Sequence, residues 1–157
     1  MHVGDMLLWG LLATGLLTTL LRAGQALHLT RMDATLLLGT MVTSDRDRAK
    51  VIGFAIHFFN GWWVASLYVL FFHAFGIATW WLGALMGVAH TAFILVAVLP
   101  VLPGVHPRMA SDFTGPEPTR MLEPPGFLAL NYGYRTPLAL LMAHIAYGTV
   151  LGAFYKI

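Results

Sequence analysis

Val51-Ile-Gly-Phe-Ala-Ile-His57-Phe-Phe-Asn60-Gly-Trp-Trp-Val-Ala-Ser-Leu-Tyr-Val-Leu-Phe-Phe-His73-Ala-Phe75 runs through the second quarter of the chain without one Asp, Glu, Lys or Arg. A helix needs about 20 apolar residues to cross a hydrocarbon core, and this stretch exceeds that. Three more stretches meet the same length: Met6–Leu27, Trp80–Leu102 and Pro137–Tyr155. None alternates apolar and polar residues as a barrel strand would. Composition agrees, with 58% hydrophobic and 10% charged residues in 157, against about 25% charged in a soluble domain. Mean hydropathy is +0.73. The expectation is an all-α fold: a single integral membrane bundle of four transmembrane helices over residues 1–157.

Charge sets the expected orientation. Arg22, Arg31, Arg46, Arg48 and Lys50 flank the first connection, and Arg108, Arg120 and Arg135 lie in the third. Only Lys156 falls at the opposite face, and the connection between the second and third spans has none. Cytoplasmic loops carry the excess of Lys and Arg. Both termini are therefore expected outside, with loops 28–50 and 103–136 in the cytoplasm. Trp9, Trp80 and Trp81 then fall at the outer interface, where aromatic belts form. The leader His2-Val3-Gly4-Asp5 has no Lys or Arg, and the first apolar run is longer than a signal core, so a cleavable signal is not expected. A pI near 9.2 is read as topological charge, not as nucleic-acid binding. The expected partners are the bilayer and a membrane protein or second copy.

The two long loops carry structure signals. Asp33 stands where it would cap the short apolar run to Val42, which is expected along the interface or tucked against the bundle. Ser44-Asp45-Arg46-Asp47 has capping-box spacing, so the second helix is expected to begin before the membrane. Pro107, Pro116, Pro118, Pro124 and Pro125 fix φ and remove donors, which predicts an extended, irregular loop. Within it, Phe127-Leu-Ala-Leu130 and Asn131-Tyr-Gly-Tyr134 predict a segment packed back onto the bundle.

Three histidines mark a place in the membrane. With a helical rise of about 1.5 Å per residue, His57 lies about 9 Å from the cytoplasmic end, His144 about 12 Å and His90 about 18 Å. One polar layer holds all three. Asn60 and Tyr147 stand three residues beyond His57 and His144, on the same helix faces, and Thr91 adjoins His90. Gly83-x-x-x-Gly87 precedes His90 and Gly148-x-x-x-Gly152 follows His144. Small-x-x-x-small stripes let membrane helices approach closely. The glycines predict tight packing in the outer half and a wider polar pocket toward the cytoplasm. Ionisable residues at such depth are costly and point to function.

Absent motifs restrict the chemistry. There is no cysteine, which removes disulfides and thiolate sites. There is no His-Glu-x-x-His or phosphate-binding loop. No Asp or Glu lies inside the second, third or fourth span, so a carboxylate-driven pump or acid–base enzyme lacks its usual parts. His73 falls near the outer interface, and His2, His28 and His106 stand without a constellation. Trp62 and Trp63 are read as lipid-facing or helix-packing residues. Enzymatic function has the least support. Two readings remain. One is a non-catalytic scaffold or accessory subunit whose histidines join helices. The other is a small-ligand or proton-responsive transport site on His57, Asn60, His90, His144 and Tyr147. That ligand is a transition metal held by His57, His90 and His144, or haem held axially by His57 and His144.

His57-Phe-Phe-Asn60-Gly61, Gly83–His90 with the exit Leu99-Pro-Val-Leu-Pro-Gly104, and Ala143-His144-Ile-Ala-Tyr147-Gly148 together resemble small four-helix bacterial inner-membrane proteins of the YagU-like type. The resemblance covers the second to fourth spans and implies a bacterial inner-membrane location, with no settled activity. The tract Gly115–Tyr134 and the short first loop depart from that pattern.

Overall fold

A computed structural model describes residues 2–111, 118–120 and 122–157. The fold is all-α. Helix α1 spans Val3–Ala26, α2 Ala34–Gly39, α3 Arg46–Phe75 and α4 Trp80–Phe93. A π turn at Ile94–Val98 joins α4 to α5, Leu99–Val105, and α6 covers Thr136–Phe154 after a 3-10 segment at Phe127–Tyr132. Four helical stretches are long and apolar enough to cross a membrane: Val3–Ala26, Arg46–Phe75, Trp80–Val105 and Thr136–Phe154. The second starts five residues before the apolar run, because Asp45 caps it by accepting from the N–H groups of Asp47 and Arg48. The third continues to Val105, beyond the expected Leu102.

Helix α6 is the central element, packed on α4 along one side and α1 along the other, while α1 packs on α3. The α4–α6 contact is backbone against backbone. A Cβ on Gly83 would run into the carbonyl of Gly148, and one on Gly148 into that of Gly83. Gly87 likewise meets the carbonyl of His144, and Gly152 that of Thr79. No side chain fits there, and dispersion between closely apposed backbones holds the pair. Helices α3 and α4 behave oppositely. They are joined by a tight turn at Gly76, which takes φ 65° as the left-handed cap of α3, yet they make almost no close approach along their length.

The first loop is built by the same small-residue device. Asp33 accepts from the Leu36 N–H at 3.0 Å and from the Thr35 hydroxyl at 2.7 Å, starting α2. Burial pushes its carboxyl up, but these bonds and the Arg22 guanidinium at 2.9 Å outweigh burial and hold it below its ordinary value. A Cβ on Gly53 of α3 would strike the carbonyl of Thr35, and one on Gly39 the carbonyl of Ala49. Helix α2 therefore lies directly on the first turns of α3.

The long loop folds back as expected for its apolar patch, though unevenly. Ala129 and Tyr132 are buried, whereas Phe127 remains exposed. The Tyr132 hydroxyl donates to the Glu123 carbonyl at 2.6 Å, and Arg31 pairs with Glu123 at 3.1 Å. Met109 bridges Leu122 and joins Met32, Leu95, Leu99, Tyr132 and Leu140 in a second core beside the main one. Gly115 and Pro116, part of the tract read from the sequence, lie outside the described residues.

The π turn has a sequence cause. Pro100 lacks an N–H, and its ring would clash with the carbonyl four residues back, at Val96. Val96 lies within the widened turn, which removes the conflict.

Gly148→Ala is expected to destabilise the protein in detergent by about 1–3 kcal/mol, the usual cost of overfilling a packed contact. Gly15→Ala, with nothing within 4 Å of its Cβ position, is expected to be neutral or slightly stabilising. Thermal unfolding of both variants checks the contact, and equal tolerance would contradict it.

Candidate functional site

A cavity of about 350 Å³ lies where α3 and α4 diverge. That falls within the range of small-molecule pockets, about 300–1,000 Å³. His57, Asn60, His90, His144 and Tyr147 all line it. The rest of its wall is mostly aliphatic, and no Asp, Glu, Lys or Arg contributes. Helix α6 and Leu17 and Leu21 of α1 form its back wall.

The α4–α6 glycine contact positions two of the histidines. Gly87 abuts the backbone of His144, and His90 follows one turn later, so the two imidazoles meet with ring centroids 4.6 Å apart in a T-shaped arrangement. The His144 Nδ1–H donates to the Leu140 carbonyl at 2.8 Å, which leaves Nε2 as the acceptor of that ring. Tyr68, not singled out from the sequence, stands beside His90 with its hydroxyl 3.5 Å from Nδ1. It also meets Tyr147 edge-on, with centroids 5.5 Å apart. The Tyr147 hydroxyl donates to the Gly61 carbonyl at 2.7 Å, tying α6 to α3. Tyr147 therefore fixes the wall, and its proton is already engaged.

His57 differs from the other two. Its Nε2 is buried and has no hydrogen-bond partner in the protein. An unsatisfied buried polar atom costs about 1–3 kcal/mol, so its retention calls for an explanation. Asn60, one turn on, is exposed and stands at the rim. Among the described residues no group of three or more His, Asp or Glu side chains is placed to hold a metal ion.

The expected opening toward the loops is modified by α2 and by His106. Leu37 and Leu38 of α2 line the cavity on that side. His106, which had no constellation in the sequence, is only 1% exposed. Its Nε2 donates to the Leu37 carbonyl at 3.0 Å, and its Nδ1 accepts from the Arg108 N–H at 3.1 Å. The lining residues that remain exposed are Asn60, Trp63 and Phe93 along the α3–α4 seam and Met41 just after α2. Only the helix exit and its prolines hinted at His106, since its burial depends on α2.

The remaining sequence candidates serve elsewhere. The Trp62 indole donates to the Leu7 carbonyl at 2.9 Å, joining α3 to α1. His73 lies near the far end of α3, its Nε2 2.8 Å from the Tyr155 hydroxyl. Against protein-family models, curated proteins and solved structures, the chain matches none. The YagU-like resemblance thus rests on its quoted motifs alone.

His57→Leu is expected to raise the stability of the ligand-free protein by about 1 kcal/mol, because it removes an unsatisfied polar atom from an apolar wall. Thermal unfolding in detergent checks the sign. A destabilisation would mean that His57 joins helices and has no part in a site.

Proposed function

We propose that this chain is a non-catalytic integral membrane protein, a four-helix bundle that holds a small molecule in the histidine-lined cavity between α3 and α4. The observation that carries this reading is the unpartnered, buried Nε2 of His57 in the wall of a cavity of about 350 Å³. A histidine kept only to join helices would be bonded to one of them, as Tyr147 is to Gly61. The ligand reading, second to a plain scaffold on sequence alone, thereby becomes the better supported of the two.

The proposed setting is a bacterial inner membrane, as the YagU-like motifs imply. Both termini lie outside and the α1–α3 and α5–α6 loops inside. The Lys and Arg distribution supports that orientation. Helix α2 then rests at the cytoplasmic interface as a cover over the cavity.

Two measurements test this. Native mass spectrometry of detergent-purified protein is expected to find a retained small-molecule mass that is lost in Val64→Trp, where a larger ring fills the cavity wall. Absence of any such mass in the unsubstituted protein would leave the scaffold reading. In intact cells, a cysteine at Ser44 is expected to resist an impermeant thiol reagent while one at Ile157 reacts. The reverse pattern would invert the orientation.

A further inference from the structure

The lining of the cavity restricts what it can hold. No charged side chain contributes to it. An ionic ligand would be stripped of water with no counter-charge, at high cost. The occupant is therefore neutral. Most of the wall is apolar, so most of the occupant is apolar too.

The polar groups are few and placed on separate helices. Helix α3 brings His57 and Asn60, whereas α4 and α6 bring His90 and His144. The His144 Nδ1–H is committed to Leu140, so its Nε2 can only accept from a neutral ligand. His57 Nε2 is buried and has no partner in the protein, and Asn60 both donates and accepts. A head that donates on one side and is met again from the other helix matches this set. Among the mostly aliphatic lining, His90 and Tyr147 present ring surfaces in edge-to-face contact, backed by the buried Tyr68. Such surfaces favour a flat ring over a branched head.

The mouth fixes the route. The cavity's most exposed lining residues, Trp63 and Phe93, stand on either side of the α3–α4 seam at 59% and 61% exposed. On the reading above, that seam faces lipid and not water. A ligand reaching the cavity through it comes from the bilayer, and its tail can stay there.

The geometry points to a membrane-dissolved neutral ring of the hydroquinone class, with hydroxyls on opposite edges and an apolar tail. The ring sits among His57, His90 and His144, and the tail leaves between Trp63 and Phe93. This inference rests on the ligand-cavity reading and narrows it to one chemical class.

The test titrates the full chain in detergent with 2-decylhydroquinone and follows the thermal midpoint. Decyl sulfate and decane carry the same tail without the head. Only the hydroquinone is expected to raise the midpoint, with apparent affinity weakened about tenfold in His57→Leu, as loss of one buried hydrogen-bond partner implies. The starting midpoint of His57→Leu shows separately that the variant folds. His144→Gln keeps an acceptor and is expected to retain part of the effect. If all three probes act equally and Val64→Trp abolishes the response, the cavity reading stands and the ring-head inference falls. A response to decyl sulfate alone would overturn the neutral head. No response to any probe would also overturn it, and the retained-mass measurement then judges the cavity itself.

Discussion

Everything at the site depends on two helices meeting without side chains between them. Gly83 and Gly87 of α4 lie against the backbone of α6 from His144 to Gly152. This contact brings the His90 and His144 rings together, since His90 follows Gly87 and His144 precedes Gly148 by about one turn each, on helices that run antiparallel. It also fixes the direction of α4. Held against α6, α4 leaves α3 soon after the Gly76 turn, and the divergence opens the cavity. The tight end and the open end are two results of one contact.

The wall opposite is fastened by hydrogen bonds. Tyr147 reaches the Gly61 carbonyl on α3, and Trp62 reaches the Leu7 carbonyl on α1. Each satisfies its own polar atom while binding one helix to the next. Against that background His57 stands out, because its neighbours have solved the same problem and it has not. The second core, around Met32, Met109 and Tyr132, seals the loop side. That core lines the loop end of the cavity through Met32, Leu37, Leu99 and Leu140, while Asn60, Trp63 and Phe93 are exposed where α3 and α4 separate.

The four long apolar helices were legible, and the three histidines that line one cavity could be singled out, because both readings follow from one-dimensional rules. Hydropathy over about 20 residues marks a span, and a constant rise places His57, His90 and His144 at similar depth. The glycine stripes were readable for the same reason. What the sequence concealed depends on contacts between distant segments. Gly39 and Gly53 are too far apart to suggest a motif, yet together they seat α2 on α3. His106 looks like a loop residue until the Leu37 carbonyl is brought to it. Helix α2, seen in the sequence only as a short apolar run, supplies Ala34, Leu37 and Leu38 to the cavity wall at the loop end.

The π turn at Ile94–Val98 has a consequence for chain length. The buried positions of the third span are Gly83, Gly87, Thr91, Leu95 and Leu99, every fourth residue. In a regular α-helix, at about 100° per residue, that spacing would drift by about 160° from first to last. The widened turn absorbs one extra residue and takes back about 100° of it, so Leu99 still faces inward, 2% exposed. The span is thus phased by residue count. Side chains within the turn can vary in size, but adding or deleting one residue there would rotate Leu99, Leu102 and His106 together and remove them from the cavity wall they line.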